Sequence, residues 1–193
     1  MNNDKSFIRH EILNHVTLVN FMIADTNLTE TEKSEILGHL KMVSLLCSHG
    51  EILLGKKKKF SNYKVELSEI FEILDAILKE HIKKTKVKLA FPKTNMTVQG
   101  DRDAIMNGLE YILMQLFNIS KNIEVHANKK GAKISIKYDS DQQLKFGKDG
   151  LIEHLRKGTS FLETFFKVNV HLLNMSGVKT NFKKGLVEIV LKN

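Results

Sequence analysis

The sequence predicts an α+β protein in which an antiparallel helical hairpin precedes a domain of helices packed on one face of a mixed, mostly antiparallel sheet. Two observations support this prediction. Residues 4–54 carry apolar side chains at three- and four-residue spacing, the period of helices with one buried face. In the rest of the chain, segments of helical period alternate with short β-rich segments and with turns that contain glycine or asparagine.

The hairpin consists of a first helix over residues 4–24 and a second helix that runs to Leu54. Thr29, followed three residues later by Glu32, has the form of a capping box and predicts where the second helix begins. Because the connection is short, the two helices are antiparallel neighbours. A two-helix hairpin buries too little surface to stand alone, so it needs the rest of the chain or a second copy. The apolar stripe of the first helix comprises Ile8, Ile12, Val16, Val19 and Ile23.

A lysine-rich tract at residues 56–59 ends the hairpin and predicts a boundary between one domain at residues 1–57 and another at residues 58–193. In the second domain, helices are predicted over residues 65–82, 101–118 and 160–174. Strands are predicted over residues 86–91, 96–99, 122–127, 132–138, 178–182 and 186–191.

Composition limits the possible functions. The chain has 193 residues, of which 42% are hydrophobic and 27% charged, as in ordinary folded proteins. Its apolar runs are too short to cross a bilayer and its start lacks a signal-peptide pattern, so we expect a cytoplasmic protein. The single Cys47 forms neither an intramolecular disulfide nor a zinc pattern, and we expect it in the core and expect no metal site. The net charge of +8 is compatible with nucleic acid or an acidic protein surface as the partner.

One histidine on the first helix has the surroundings of a phosphoryl acceptor. Residues 9–15 read RHEILNH. At 100° per residue, His10 lies about 200° from Ile8 and Ile12, so it points away from the apolar stripe and into water. Nucleophilic attack on phosphorus needs an exposed neutral imidazole nitrogen, and the adjacent Glu11 supplies a carboxylate for its proton. Asn14 lies one turn along the same face.

The order of elements and the RHEILNH segment resemble the dimerisation and ATP-binding core of sensor histidine kinases, over nearly the whole chain. The resemblance implies that two hairpins form a four-helix bundle in a homodimer, followed by a Bergerat-like α/β sandwich of the GHKL type with a mixed sheet. It implies further that His10 is the phosphoacceptor, Glu11 the acid/base and Asn14 a residue that helps to orient the reaction.

The ATP-binding motifs of that family are degenerate in this sequence. The two asparagines that face the nucleotide in the family correspond to Tyr111 and Gln115, and the displaced amide of glutamine suits the strict octahedral shell of magnesium poorly. The aspartate that binds adenine in the family falls on Ser140, next to Asp139. Of the glycine-rich phosphate loop only Gly158 is kept. We therefore expect no nucleotide or metal cofactor.

Three functions are considered. The first is histidine phosphotransfer in a phosphorelay, in which His10 exchanges a phosphoryl group with the aspartate of a response-regulator receiver domain. The alternative is a divergent soluble histidine kinase that autophosphorylates from Mg-ATP held by Gln115 and nearby aspartates. The third is a basic nucleic-acid-binding protein, which we do not expect because the lysine runs lie in turns and are not interleaved with aromatic residues.

Overall fold

The computed structural model describes residues 2–23, 60–144 and 161–192, and between them residues 28–29, 32–33, 36–37, 39–40, 43–44 and 46–47. The chain divides into two compact units. The first comprises Met1–Lys59 and Asp149–Phe161, and the second comprises Phe60–Lys148 and Leu162–Asn193. In the described part of the chain, none of the helices is both long and apolar enough to cross a bilayer.

The first unit begins with the helix α1 (Asn2–Ile23). The described positions from residue 32 to residue 47 are helical as well. The capping box predicted from Thr29 and Glu32 is present. The backbone N–H of Thr29 donates to Oε2 of Glu32 at 2.7 Å, and the backbone N–H of Glu32 donates to Oγ1 of Thr29 at 3.3 Å. These bonds satisfy backbone donors that have no partner within a helix. Residues 24–27, which include the start of the predicted connection, lie outside the described residues.

The apolar faces of the first unit are only partly covered. Its buried apolar residues among the described positions are Val19, Ile36 and Leu46. Val16 and Ile23, predicted to be buried, are 38% and 55% exposed, because nothing in the described part of this unit covers that side of α1. Cys47, which was expected in the core, is exposed. It follows the inward-facing Leu46, and a helix turns each successive side chain by about 100°.

The second unit contains seven strands and three helices in the described residues. The helices are α2 (Leu67–Thr85), α3 (Arg102–Phe117) and α4 (Phe161–Met175). The strands are β1 (Tyr63–Glu66), β2 (Lys88–Ala90), β3 (Thr97–Gly100), β4 (Asn122–Asn128), β5 (Lys133–Tyr138), β6 (Lys179–Lys183) and β7 (Leu186–Val190).

These strands form a five-stranded sheet in the order β2-β4-β5-β7-β6 and a two-stranded sheet of β1 and β3. Only the β2–β4 pair is parallel among these pairs, and the others are antiparallel. The prediction of a mixed, mostly antiparallel sheet is confirmed. Alternate residues of β5, Ile134, Ile136 and Tyr138, point into the core, as expected for a strand with one buried face.

The prediction of a helix over residues 65–82 was wrong at both ends. Val65 and Glu66 belong to β1, where Val65 pairs with Val98 of β3. The helix begins at Leu67 and continues to Thr85. At 100° per residue, Val65 lies about 140° from Ile70 and about 180° from Leu74, so it is outside the buried stripe of α2 and the helical period gave no reason to include it. Pairing with β3, a segment more than thirty residues away, decides the matter.

Helices α3 and α4 come close together at Gly108. A Cβ atom built on Gly108 would lie 2.7 Å from Cδ2 of Leu173 on α4. Gly108 and Leu173 are both buried. The absence of a side chain at Gly108 therefore allows this close approach, which sets how the two helices that carry Tyr111 and Phe165 face each other.

Candidate functional site

His10 lies on the exposed face of α1. Its side chain is 71% exposed, whereas that of the neighbouring Glu11 is 27% exposed. The prediction that His10 points away from the apolar stripe is confirmed. Its Nε2 has no partner among the described residues, so this nitrogen is open to a reactant from solution.

Two side chains approach Nδ1 of His10. The amide nitrogen of Asn14, one turn along α1, lies 3.0 Å from Nδ1. Oε1 of Glu11 lies 3.9 Å from the same atom. The structure thus brings together the three residues to which the sequence assigned the chemistry. With the Asn14 nitrogen donating, Nδ1 is an acceptor and the neutral ring carries its proton on Nε2. Rotation of the Asn14 amide would present Oδ1 and favour the tautomer with a free Nε2.

Two further histidines, His15 and His39, are in contact with each other in the first unit. Nδ1 of His15 on α1 is 2.8 Å from Nδ1 of His39, and the ring centroids are 5.0 Å apart. A hydrogen bond between two such nitrogens requires one proton, so one ring donates and the other accepts. Burial lowers the pKa of His15, and the nearby His39 lowers it further, against an opposing effect of Glu11. The sequence offered no sign of this contact, because nothing local links residues 15 and 39.

Tyr111 of α3, which the resemblance predicts at the first nucleotide-facing position, is packed against another aromatic ring. Its ring stacks on Phe165 of α4 with the centroids 5.2 Å apart and the planes 11° apart. Burial, together with the charge of Glu110, raises the pKa of Tyr111 to about 12. The phenol is therefore protonated at neutral pH and does not offer a phenolate to a metal ion.

Gln115 lies one turn along α3 from Tyr111 and is half-buried. Within the described residues, no group of three or more histidine, cysteine, aspartate or glutamate side chains could hold a metal ion. Tyr111 and Gln115 do not fit Mg-ATP. The ring of Tyr111 is stacked on Phe165, and the amide of Gln115 reaches one methylene further than that of an asparagine.

The segment after β5 holds its carboxylate in internal hydrogen bonds. Oδ1 of Asp139 accepts bonds from the backbone N–H groups of Lys121 and Asn122, each at 3.0 Å, and from the hydroxyl of Ser120. Its other oxygen accepts a bond from the side-chain amide of Asn122. The Ser120 hydroxyl and these amides hold the pKa of Asp139 far below its ordinary value. Asp139 ties the start of β4 to the end of β5.

Ser140, the predicted position of the adenine contact, accepts a bond at its hydroxyl from the backbone N–H of Gln142 at 3.1 Å. The neighbouring Asp141 is 96% exposed and forms an ion pair with Lys184 at 2.7 Å. Of the two aspartates beside Ser140, Asp139 is thus engaged within the fold and Asp141 faces solvent. Gly158 lies outside the described residues.

Comparisons with known proteins give a consistent result at the level of structure. No protein-family model matches the sequence, and no curated protein matches it either. A histidine kinase from Acinetobacter baumannii, AdeS, aligns with a TM-score of 0.58 at 13% identity, over 94% of this chain and 95% of that chain. The chain has the fold of a sensor histidine kinase core.

Two further histidine kinases share this fold. Full-length ShkA, solved in complex with AMPPNP, aligns with a TM-score of 0.56 at 11% identity, over 98% of this chain and 44% of that chain. The cytoplasmic segment of QseC aligns with a TM-score of 0.50 at 9% identity, over 86% of this chain and 97% of that chain. The fold that these neighbours share includes a GHKL-like ATP-binding domain.

The sequence did not predict the contacts of three residues at these sites. Phe165 covers Tyr111, His39 pairs with His15, and Asp139 joins two strand ends. None of these contacts had a local signal. The contacts of Phe165 and His39 depend on how separate helices pack, and the donors to Asp139 lie 17 to 19 residues away in sequence.

Proposed function

We propose that this chain acts in two-component signalling and carries a phosphoryl group on His10, which it exchanges with the aspartate of a response-regulator receiver domain. The observation that supports this best is the exposed imidazole of His10, whose Nδ1 faces Asn14 and Glu11 while Nε2 is open. In the transfer, Nε2 forms a bond to phosphorus as the bond from phosphorus to the aspartate oxygen breaks, and Glu11 takes the proton from Nδ1. Asn14, with its oxygen turned to Nδ1, holds the reactive tautomer.

The test is label transfer from a phosphorylated receiver domain to this protein. We expect His10→Gln to reduce the transfer rate by about 100-fold or more, because the nucleophile is lost. His126→Gln is a matched control, since the side chain of His126 on β4 is exposed as well, at 50%. If His10→Gln accepts the label as fast as the parent protein, the proposal fails.

The source of the phosphoryl group has two candidates. The likeness to AdeS, ShkA and QseC favours autophosphorylation from Mg-ATP by a divergent histidine kinase. The contacts of the described residues favour a relay that receives the group from another receiver domain. Tyr111 stacks on Phe165, and the oxygens of Asp139 accept bonds from the start of β4.

An ATP-binding measurement separates the two candidates. A kinase binds ATP in the micromolar to low-millimolar range with a dependence on magnesium, and it labels His10 from γ-labelled ATP. A relay protein shows neither property but still accepts label from a phosphorylated receiver. Both measurements use the same preparation, so that a negative result with ATP is read against a positive result with the receiver.

A second copy of this chain is the partner that we propose for the first unit. Phe21 is 82% exposed on α1, and Leu13 and Leu18 on the same helix are 56% and 46% exposed. Leu37 and Leu40 add further exposed apolar area in this unit. Apolar side chains exposed at this density mark interaction surfaces, and pairing of two hairpins into a four-helix bundle would cover them.

Light scattering during gel filtration tests this dimer. We expect Phe21→Glu to shift the protein from dimer to monomer at micromolar concentration, because a charge would be buried in the interface. Asn20→Glu, at an adjacent exposed position, adds the same charge as a control. A parent protein that is monomeric at high concentration would rule the dimer out.

A further inference from the structure

The second unit has a cavity of about 560 Å³ between α2 and the segment that joins β2 to β3. It is lined by one face of α2, from Ser68 to Asp75, and by residues 91–94. None of its lining residues belongs to α3, α4 or the segment after β5, so it is separate from the positions that correspond to the nucleotide site. Its volume lies in the range of about 300–1,000 Å³ that is usual for ligand sites.

The inner wall of this cavity is aromatic. The rings of Phe71 on α2 and Phe91 after β2 stack with their centroids 5.3 Å apart and their planes 23° apart. Phe71 is buried, whereas Phe91 and the adjacent Pro92 are half-buried. The negative π-face of an aromatic ring attracts a cation, and a flat cation can also stack on it.

The rim of the cavity carries two carboxylates that form no ion pair within the described part of the chain. Glu72 and Asp75 are three residues apart on α2, so they project from the same face of the helix. Both are exposed, and neither has a salt-bridge or hydrogen-bond partner among the described residues. Of the described residues that line the cavity, Lys93 is the one that carries a positive charge. In a chain of net charge +8, an unpaired acidic pair beside an aromatic wall selects for a positively charged ligand.

We propose that this cavity binds an arginine side chain presented by a partner protein. A guanidinium group is flat and weakly hydrated, so it can stack near Phe91 while its N–H groups reach Glu72 and Asp75. A lysine ammonium offers no plane for stacking and keeps its water more strongly. The volume leaves room for the residues that flank the arginine. The hydroxyl of Thr94 accepts a bond from the backbone N–H of Met96 at 3.1 Å, so its own hydrogen is free to donate to a peptide carbonyl.

The test is a nuclear magnetic resonance titration of the full isotope-labelled chain with three capped leucine dipeptides, whose second residue is arginine, lysine or citrulline. Citrulline has the shape of arginine without its charge. We expect the arginine peptide to shift the backbone signals of α2 near Ser68 and Asp75 and of residues 91–94. Its affinity should exceed that of the citrulline peptide by about tenfold and that of the lysine peptide by a smaller factor.

Variants connect the binding to the cavity. The double variant Glu72→Gln with Asp75→Asn should weaken the arginine peptide by about tenfold and leave the citrulline peptide unchanged. Glu80→Gln removes an exposed carboxylate elsewhere on α2 and should have no effect. Equal binding of the arginine and citrulline peptides, shifts that map to another surface, or no loss in the double variant would each overturn the proposal. The result does not depend on His10, so it can fail while the phosphotransfer proposal stands.

Discussion

The rings of Tyr111 and Phe165 lie in parallel contact, with 5.2 Å between their centroids, and so join α3 to α4 in the second unit. The sequence resemblance to sensor histidine kinases predicts that Tyr111 corresponds to an asparagine that faces the nucleotide in that family. If it does, the stack stands where the family has a polar contact to a ligand. This single relationship bears directly on whether the domain binds ATP.

The first prediction restores the two asparagines of the family. We expect the double variant Tyr111→Asn with Gln115→Asn to bind Mg-ATP at least about tenfold more tightly than the parent, because the stack is opened and an amide of suitable length faces the site. Calorimetric titration with and without magnesium measures the change. Tyr63→Asn, at a position that is 71% exposed, serves as the control. Tight magnesium-dependent binding by the parent protein would contradict the premise.

The second prediction concerns the contact between Gly108 and Leu173. We expect Gly108→Ala to lower the free energy of unfolding by about 1–3 kcal/mol, because the added methyl group would overlap the Leu173 side chain and force the helices apart. Denaturant unfolding followed by circular dichroism measures it. Asn107→Ala, at the preceding position of α3, controls for the general gain in helix propensity. An unchanged or increased stability of Gly108→Ala would show that the helices separate without cost.

The third prediction is a pH dependence that arises from Glu188. The ammonium groups of Lys133 and Lys183 donate to Glu188, and these bonds lower its pKa from 4.5 to about 2. Since the pKa in the folded state is below that in the unfolded state, the carboxylate stabilises the fold above pH 4.5, and this contribution is lost as the pH falls toward 2.

We therefore expect Glu188→Gln to have a lower melting temperature than the parent near pH 7 and a difference that shrinks on acidification to about pH 3. Thermal unfolding at a series of pH values measures the difference. Glu124→Gln removes one negative charge at an exposed position of β4 and corrects for the change in net charge. A difference between Glu188→Gln and the parent that is constant with pH would show that the ion pairs do not contribute.

The fourth prediction concerns the carboxylate that joins β4 to β5. In Asp139→Asn, the negative charge is lost and the oxygen that accepts from the Asn122 side chain is replaced by an NH2 group. The backbone N–H groups of Lys121 and Asn122 then donate to a neutral oxygen, which is a weaker acceptor than a carboxylate. We expect these two amides to exchange with deuterium about tenfold faster or more, while the centre of β5 is less affected. Asp141→Asn, next to it and exposed, is the control. Equal exchange in Asp139→Asn and the parent would mean that neighbouring bonds hold the junction without the carboxylate.

Much of the fold was predictable because its signals are local. The capping box of Thr29 and Glu32 acts over three residues, and its bonds are present. The alternation of Ile134 and Ile136 predicted β5. The turn between β6 and β7 contains Gly185, whose positive φ favours glycine. The start of α2 was not predictable in the same way, because Val65 belongs to a strand whose partner, Val98 of β3, is remote in sequence.

The sequence by itself determined that His10 is exposed on a helix, with Glu11 beside it and Asn14 one turn along, because a helix of known pitch makes such neighbours from sequence alone. Only the tertiary structure decided what surrounds the degenerate nucleotide positions. The packing of α3 on α4 turns Tyr111 into an aromatic contact, and the meeting of two strand ends engages Asp139. The physical reason is that periodicity fixes which side of an element a residue occupies, whereas the identity of its partner depends on contacts between segments far apart in the chain.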